Sequence, residues 1–466
     1  MLFSSLVFLW GFLPLLLVLS RLVPKRAQNG LLLCASLLFY AWGEPRNILL
    51  MLVSITCNWL LALAVAAAKA PREKKAMVAL AVVFNLLLLG VFKYTDFALQ
   101  GLNRLFGTTW QAGIALPIGI SFYTFQALSY VIDVYRGKTP AQKSWGKIAL
   151  YISFFPQLIA GPIVQYSHIE KQLDARAITA EATAYGVKRF LYGLGKKVVL
   201  ANAFAAAADE IFGIGAAAMS TQVAWMGSIL YALQIYYDFS GYSDMAIGLG
   251  KLFGFTFHEN FNYPYLARSC TEFWRRWHIS LSSWFREYLY IPLGGNRKGT
   301  AKTYRNLMIV FFCTGLWHGA NLQFVVWGLY YGVLLVTERL FLGRWLEKLP
   351  VLNRLYTVLA FLCGWVIFRA GGLREGFLML RHMFLPSAGS AAYPLARFMD
   401  ARLWLLLAVG VLCCGALQTV WPALCRMLYD EERTYTLQAA AQLVLLLVCI
   451  MLLVAGTYNP FIYFRF

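Results

Sequence analysis

Apolar runs about as long as a lipid bilayer is thick recur along this 466-residue chain. A helix needs about 20 predominantly apolar residues to cross the hydrocarbon core, so these runs restrict the chain to a membrane architecture. Composition agrees: 60% of the residues are hydrophobic and 13% are charged, whereas about a quarter are charged in a soluble domain. The apolar segments are 2–20, 30–42, 47–68, 76–92, 112–134, 146–165, 184–203, 220–250, 307–340, 354–368, 402–421 and 436–456. We predict an all-α polytopic membrane protein with one domain over 1–466 and with re-entrant and interfacial helices.

Basic residues in the connecting loops predict how these segments are oriented. The loops after the first, third and fifth segments are basic, which fits an N-terminus outside and these loops in the cytoplasm. Strict alternation would then leave the basic 251–306 region outside, so one segment must enter and leave on the same side. Segment 146–165 is the best candidate, because its two prolines break helices. The count becomes about eleven spans with a cytoplasmic C-terminus. Alternatively, one of the short segments 30–42 and 354–368 does not span.

The formal charge of +20 has to be interpreted in this membrane setting. In a soluble chain it would indicate nucleic acid, but here it fits basic cytoplasmic loops beside anionic lipid headgroups. No nucleic-acid-reading module interrupts the spans. The nine cysteines show no C-x-x-C or Cys/His ligand spacing, so we expect no metal site. Segment 2–20 has no basic residue before it and Arg21 after it, which favours a retained span over a cleaved signal peptide.

His318 is the first candidate for chemistry, because an ionisable side chain within an apolar run is costly at membrane depth. It lies thirteen residues beyond Arg305, roughly 20 Å along a straight helix. That places it near or past the middle of a hydrocarbon core about 30 Å thick. Gly315 and Gly319 would let another backbone or a ligand approach closely. A buried imidazole stays neutral and can accept a proton. A structural histidine bonded to a carbonyl of the next helix fits the pattern equally well.

His278 lies in an arginine-rich segment with the periodicity of an amphipathic helix. One stripe of that helix would contain Phe273, Trp277, Leu281, Trp284 and Tyr288. Arg275 and Arg286 fall on another stripe, so we predict an interfacial or re-entrant helix at the cytoplasmic face. The arginines either contact lipid phosphates or form a cationic mouth for a phosphate-bearing donor. By itself, His278 fits a structural role better than a catalytic one.

Two further stretches have an unusual composition. The glycine-rich turn at 294–299 could form a nest of backbone amides for an anion, or could simply reverse the chain. Asp238 and Asp244 lie within the 220–250 run. They fit a polar cavity wall, a pairing site for the arginines, or a pair of helix caps. The chain contains no nucleophile elbow and no P-loop. It therefore offers a base without an obvious protein nucleophile, which favours direct attack by a substrate hydroxyl on an activated acyl group.

Seven stretches of the sequence resemble the membrane-bound O-acyltransferase (MBOAT) family. Within that family, the resemblance is to the branch typified by the membrane subunit of bacterial alginate O-acetyltransferase. The stretches are 154–162, 237–244, 260–264, 273–282, 290–297, 316–319 and 459–466. The resemblance covers nearly the whole chain and is densest over 150–330. It implies an MBOAT-like helical fold with a central funnel.

The resemblance also implies a reaction, in which an acyl group moves from a thioester donor to a hydroxyl. The family's catalytic histidine, in a tryptophan-histidine-glycine motif, matches His318. The second family histidine matches His278. The donor would enter from the cytoplasm through the funnel. The arginines that we expect to line its entrance are Arg275, Arg276, Arg286 and Arg297.

The function expected from this resemblance is transfer of an acyl group, expected to be acetyl, across the membrane toward hydroxyls of an extracytoplasmic polysaccharide or cell-wall polymer. We expect acetyl-CoA or an acyl carrier protein as the donor, and no tightly bound cofactor. A separate extracytoplasmic SGNH-hydrolase-like protein is the expected partner, and the bacterial plasma (inner) membrane is the expected location. Two other classes fit the same pattern: a transporter or flippase for a lipid-linked sugar, and a non-catalytic assembly scaffold.

Overall fold

The computed structural model describes residues 1–429, 435–456 and 458–461. Every regular element in these ranges is helical, as predicted. Of the closing stretch 459–466, residues 462–466 lie outside the described residues. The backbone forms two compact units, and the single domain over 1–466 stays a prediction. Unit 1 comprises Met1–Phe190 and Ser243–His258, and unit 2 comprises Leu191–Tyr242 and Glu259–Phe466.

Unit 1 is built from helices. They are α1 Leu13–Leu22, α2 Lys25–Gly43, α3 Ile48–Ala67, α4 Pro71–Phe106, α5 Ile120–Tyr135, α6 Trp145–Ser153, α7 Phe155–Leu158, α8 Tyr166–Asp174 and most of α9 Ala180–Gly195. Helices α3 and α4 are joined by two buried amides, because Asn58 donates to Asn85 at 3.2 Å and Asn85 donates back at 2.7 Å. Lipid solvates apolar helices as well as they solvate one another, so hydrophobicity alone does not hold two helices together in a membrane. Side-chain hydrogen bonds of this kind join them.

Helix α4 is longer than the apolar segment 76–92 from which it was predicted. Pro71 opens it at a position where no N–H is needed, and Gly107, with φ of 67°, closes it in the left-handed conformation. Its 36 residues correspond to about 54 Å, so it extends beyond a hydrocarbon core of about 30 Å. The 112–134 segment is helical only from Ile120 onward, which is shorter than its hydropathy predicted.

Segment 146–165 contains the break that its prolines predicted. Helices α6 and α7 are separated at Phe154, whose ψ of 113° is not helical. The Phe155 N–H donates to the Ser36 hydroxyl of α2 at 3.2 Å, so a backbone group freed by the break is bonded inside the protein. Non-helical backbone at membrane depth is tolerated in such surroundings. The re-entrant course of the segment stays a prediction.

Unit 2 contains the other described helices and an aromatic core. They are α10 Asn202–Gly213, most of α11 Thr221–Leu252, α12 Cys270–Arg276, α13 Ile279–Phe285, α14 Thr300–His318, α15 Leu322–Thr337, α16 Gly343–Lys348, α17 Leu352–Arg369, α18 Leu373–Phe384, α19 Leu395–Phe398, α20 Ala401–Val411, α21 Leu417–Val420, α22 Pro422–Tyr429 and α23 Tyr435–Ala455. Trp327, Tyr331 and Trp365 are among its largest fully buried side chains. Aromatic rings of this size supply much of the area that a core buries.

The 307–340 run, which the sequence predicts as one span, consists of two helices. Helix α14 ends at His318, and the backbone is extended at Gly319, with φ of −167° and ψ of 157°. The Asn321 side chain then caps α15 by accepting a hydrogen bond from the Gln323 N–H at 3.4 Å. A glycine that ends one helix and an asparagine that caps the next are ordinary boundary signals, which average hydropathy does not register.

The two helices pack as an antiparallel hairpin with their backbones in close contact. A Cβ atom on Gly315 would lie 2.3 Å from the Phe324 carbonyl oxygen, and one on Gly328 would lie 2.2 Å from the Phe311 carbonyl oxygen. Each glycine is followed by another four residues later, a spacing that lets helices approach closely in membranes. The predicted close approach at Gly315 is confirmed, and the approaching group is the backbone of α15.

The hairpin gives unit 2 an open end, where α14 begins and α15 finishes, and a tip end at 319–321. Helix α17 finishes at the tip end, because Gln323 donates through Nε2 to the Phe368 carbonyl at 3.5 Å. The next residue, Arg369, pairs with Asp209 at 2.6 Å. The Tyr458 hydroxyl donates to the other oxygen of the same carboxylate. Tyr458 therefore lies at the tip end.

The orientation predicted from charge counts the 307–340 run as one crossing, and it places both the 251–306 region and the C-terminus in the cytoplasm. Because the run turns back at 319–321, the start of α14 and Tyr458 lie at opposite ends of unit 2. The side of the membrane on which each terminus lies stays a prediction.

Six helices of the described chain are long and apolar enough to cross a membrane. They are Ile48–Ala67, Pro71–Phe106, Leu322–Lys348, Leu352–Arg369, Ala401–Val420 and Tyr435–Ala455. The short segment 354–368 belongs to one of them, so it is long enough to span. The 32-residue helix α11 is not among the six, and it contains two buried aspartates. The architecture is that of a multi-pass membrane protein, and the count of about eleven spans stays a prediction.

Candidate active site

His318 is the last residue of α14 and lies at the tip end of the hairpin. Three aromatic rings meet its imidazole edge to face, one each from α14, α15 and α17. Their centroids lie 5.0 Å away for Trp317, 5.0 Å for Trp327 and 5.2 Å for Phe368. These rings enclose most of the imidazole, and 8% of His318 stays exposed.

His278 lies at a helix break that the periodicity of 273–288 did not predict. The expected single helix is wrong, because α12 ends at Arg276 and α13 begins at Ile279. Between them His278 adopts the left-handed conformation, with φ of 44° and ψ of 54°. A residue other than glycine adopts this conformation rarely and keeps it only where its surroundings hold it. The break therefore indicates that the position of His278 is specifically maintained.

The predicted apolar stripe of this segment is buried in the protein. Its five members are Phe273, Trp277, Leu281, Trp284 and Tyr288. The stripe packs on α15 and α17, since the Phe273 ring lies 6.3 Å from Tyr331 and the Trp277 ring 4.9 Å from Trp365, centroid to centroid. The segment therefore gains its main stabilisation from aromatic packing within unit 2.

Asn260 holds the His278 side chain in place. The Asn260 backbone carbonyl accepts from the Ile279 N–H at 2.9 Å, and its Oδ1 accepts from the Ser280 N–H at 3.1 Å and the Ser280 hydroxyl at 2.9 Å. Because a backbone N–H can only donate, the atom it faces is the amide oxygen. The His278 Nδ1 lies 3.2 Å from that oxygen and must carry the proton. Nε2 is then the lone-pair nitrogen of the neutral ring.

The two predicted histidines lie together, on either side of one tryptophan. The Trp317 ring centroid is 6.1 Å from that of His278 and 5.0 Å from that of His318. His278 is only 1% exposed, and its burial, followed by the nearby His318 ring, lowers its pKa well below the usual value. His278 is therefore a neutral, buried imidazole, and His318 is the less buried member of the pair.

We expect Asn260→Ala to lower the rate of acyl transfer by about tenfold or more. The substitution removes the acceptor of three donors, and an unsatisfied buried donor costs about 1–3 kcal/mol. It also frees His278 to change its tautomer. The turnover number per folded molecule and the thermal unfolding temperature measure the two effects separately. Asn262→Ala is the matched control, because that side chain is exposed two residues away. Wild-type turnover by folded Asn260→Ala protein would refute the assigned role.

The four arginines predicted at the donor entrance differ in their surroundings. Arg276 pairs with Glu272 at 2.7 Å and donates to the Asn262 carbonyl at 3.2 Å, so it also fixes the loop before α12. The other three side chains are exposed: Arg275, Arg286 and Arg297. Their role at a donor entrance stays a prediction.

The glycine-rich turn precedes α14 at the open end of the hairpin. Gly294 and Gly295 have positive φ values of 109° and 52°, as a tight reversal requires. The Asn306 side chain of α14 donates to the Leu293 carbonyl at 3.3 Å and to the Gly295 carbonyl at 3.2 Å. The turn is thus tied to the hairpin and reverses the chain, while its use as an anion nest stays a prediction.

Each of the two aspartates of α11 forms an ion pair with a basic side chain from outside that helix. Asp238 pairs with Lys197 at 2.6 Å, and Asp244 pairs with Arg189 through bonds of 2.6 and 2.9 Å. The alternative of helix caps is wrong, because both residues lie in the helix interior. Arg189 belongs to α9 and is not one of the arginines predicted at the donor entrance, and the alternative of a polar cavity wall stays a prediction. Among the residues that the structure describes, no group of three or more His, Cys, Asp or Glu side chains could hold a metal ion.

No role was predicted for Asn260, Trp327 or Phe368, although all three contact the histidines. Asn260 opens the 260–264 stretch that carried part of the resemblance, so its membership of that stretch was an available signal. Trp327 and Phe368 gave no signal, since 16% of the chain is aromatic. Nothing in the sequence spacing of Trp327 and Phe368 distinguishes aromatic residues that line the site from those of the rest of the core.

The hairpin and the two histidines packed together define the class, a multi-pass membrane protein with two imidazoles inside its helical core. Comparison with known proteins identifies the family. The model of the membrane-bound O-acyltransferase (MBOAT) family matches residues 142–369, which contain both histidines. The chain belongs to this family, and it is an O-acyltransferase.

Similar proteins extend over most or all of the chain. The chain is 46% identical over 394 residues to the probable alginate O-acetylase AlgI of Pseudomonas aeruginosa, covering 82% of this chain and 75% of that protein. It is 41% identical over 494 residues to the probable alginate O-acetylase AlgI of Pseudomonas putida, covering 100% of both. It is 37% identical over 421 residues to the peptidoglycan O-acetyltransferase of Helicobacter pylori, covering 82% and 80%.

Proposed function

We propose that this chain transfers an acetyl group from a thioester donor to hydroxyls of an extracytoplasmic polysaccharide or cell-wall polymer, with His318 as the general base. The observation that carries the proposal is the position of His318. It is enclosed by three rings, keeps a small exposed area and lies beside a second, neutral imidazole. Histidine is the side chain that most often acts as a general base.

In the proposed reaction, His318 accepts the proton of the acceptor hydroxyl as that oxygen attacks the thioester carbonyl carbon. A C–O bond forms and the carbonyl electron pair moves onto oxygen. When the pair returns, the C–S bond breaks and the thiolate takes the proton from the imidazolium. General base catalysis of this kind contributes roughly 10²–10⁴-fold. A neutral His278 favours the step, because it does not repel the positive charge that His318 acquires.

The donor is proposed to enter from the cytoplasm, where we place the open end of the hairpin. The 251–306 region before it is basic, which favours the cytoplasmic side. The exposed Arg275, Arg286 and Arg297 suit the phosphate groups of acetyl-CoA or of a phosphopantetheine-bearing acyl carrier protein. The tip end, with His318, then faces the extracytoplasmic half of the membrane. The proposed location is the bacterial plasma (inner) membrane, with the N-terminus outside.

The acceptor is inferred from the similar proteins. Two of them are described as alginate O-acetylases and one as a peptidoglycan O-acetyltransferase. Alginate and peptidoglycan are both polymers found outside the cytoplasmic membrane, which supports an extracytoplasmic polymer as the final acceptor. A separate SGNH-hydrolase-like protein would complete the transfer to sugar hydroxyls.

Turnover of a labelled acetyl thioester by the purified protein tests the proposal against a flippase for a lipid-linked sugar. Broken helices and polar groups at depth also occur in transporters, so this alternative has structural support. An acyltransferase releases free thiol from acetyl-CoA or from an acetylated carrier protein in repeated cycles, and a flippase or a scaffold does not. We expect catalytic release with one of the two donors, increasing when the partner protein is added. Absence of turnover with both donors in the presence of the partner would contradict the proposal.

A further inference from the structure

Glu338 is a buried carboxylate that the site described above does not use. It is the first residue after α15, it lies within the candidate span Leu322–Lys348, and it is 6% exposed. Its carboxylate accepts three hydrogen bonds from the start of α12. Cys270 donates its N–H to Oε1 at 2.6 Å, and Thr271 donates its N–H at 2.9 Å and its hydroxyl at 2.6 Å to Oε2.

These hydrogen bonds stabilise both the start of α12 and the Glu338 carboxylate. The first N–H groups of a helix have no acceptor within the helix, and negative charge is favourable beside them. A carboxylate at membrane depth is costly unless its oxygens are bonded. Ser269 caps the same turn by accepting from the Glu272 N–H at 3.0 Å. Glu338 therefore anchors the beginning of α12 to the end of α15.

The same face of α15 also holds the other end of α12. Trp327, Tyr331 and Glu338 recur at the spacing of one helical face. Trp274 of α12 has its ring centroid 5.6 Å from that of Trp327 and 4.9 Å from that of Tyr331. Trp327 in turn contacts His318. Helix α12 is thus fixed at its beginning by Glu338 and toward its end by Trp327 and Tyr331, of which Trp327 contacts His318.

We propose that Glu338 is a positioning residue for acyl transfer. By fixing the beginning of α12 on the hairpin, it sets where His278, two residues beyond that helix, lies relative to His318. Helix α12 has seven residues, about 10 Å in length, so a shift at its beginning is transmitted to its end. This inference rests on the proposed function, because it requires the histidine pair to act in the transfer. Glu338 itself contacts no substrate.

The test measures the turnover number and the Michaelis constant for the thioester donor in Glu338→Ala and Glu338→Gln protein. Misplacement of reacting groups by about 1 Å can lower a rate by about a hundredfold. For Glu338→Ala we expect turnover per folded molecule to fall on the order of tenfold to a hundredfold, with little change in the Michaelis constant. Glutamine keeps one acceptor oxygen, so Glu338→Gln should lose less. Glu347→Gln, at an exposed glutamate of α16, is the matched control and should match the wild type.

A purely structural role would reduce the amount of folded protein and leave turnover per folded molecule unchanged, and that result would overturn the inference. If Glu338→Ala does not fold, Glu338→Gln and Thr271→Val replace it, because each weakens the contact without removing it. Wild-type turnover in both would equally overturn the inference. Failure of the proposed function is distinguishable, since in that case His318→Gln retains full activity whatever the Glu338 variants do.

Discussion

His318→Gln is expected to abolish acyl transfer while leaving the protein folded and inserted in the membrane. Glutamine can occupy the space among Trp317, Trp327 and Phe368 and can form hydrogen bonds, but it cannot take up a proton at neutral pH. Loss of the general base should lower the rate by roughly 10²–10⁴-fold. The measurement is transfer of labelled acetyl from thioester to acceptor, expressed per molecule of monodisperse, folded protein.

His258→Gln is the matched control for this experiment. It removes an imidazole that is exposed and belongs to unit 1, outside the histidine pair, and it should leave the rate unchanged. His278→Gln should be impaired as well, because the buried second imidazole is held in one tautomer by Asn260. Full activity of folded His318→Gln protein would refute the general-base assignment, and full activity of both histidine variants would favour a non-catalytic scaffold.

The sequence was informative about the class of fold because apolar runs of bilayer length have few other solutions. It was also informative about local breaks that depend on special residues. The prolines near Phe154 predicted the break between α6 and α7, and the structure has it. The turn at 319–321 was missed for a different reason. Its glycine and asparagine signals were present, but they lay in a run whose mean hydropathy stays high across the turn.

The candidate site was predictable only in part. The resemblance selected His278 and His318, which are 40 positions apart in the chain, but it gave no account of how they meet. Their proximity depends on the helix break at His278 and on the hairpin turn that follows α14. Neither can be predicted from the helical periodicity of apolar residues. The contact between Glu338 and the start of α12 joins residues 67 and 68 positions apart. Contacts at such separation are set by tertiary packing, which periodicity does not encode.

The second large effect is expected at the hairpin itself, where Gly328→Ala should destabilise the protein and lower its activity together. A Cβ atom at this position would lie 2.2 Å from the Phe311 carbonyl oxygen and 3.2 Å from the backbone of Gly315. Backbone atoms cannot rotate away, so the two helices must separate. Overpacking of this kind typically costs about 1–3 kcal/mol. Thermal unfolding of the purified protein measures this cost.

The loss of activity at Gly328 should exceed what stability alone explains, because Trp327 is the preceding residue and contacts His318. A displacement of about 1 Å there can lower a rate by about a hundredfold. Gly90→Ala is the matched control: Gly90 lies in the candidate span Pro71–Phe106 with nothing within 4 Å of its Cβ position. That change should be neutral, or stabilising by up to about 1 kcal/mol through helix propensity. If Gly328→Ala has the same unfolding temperature and turnover as Gly90→Ala, the close contact between α14 and α15 does not position His318.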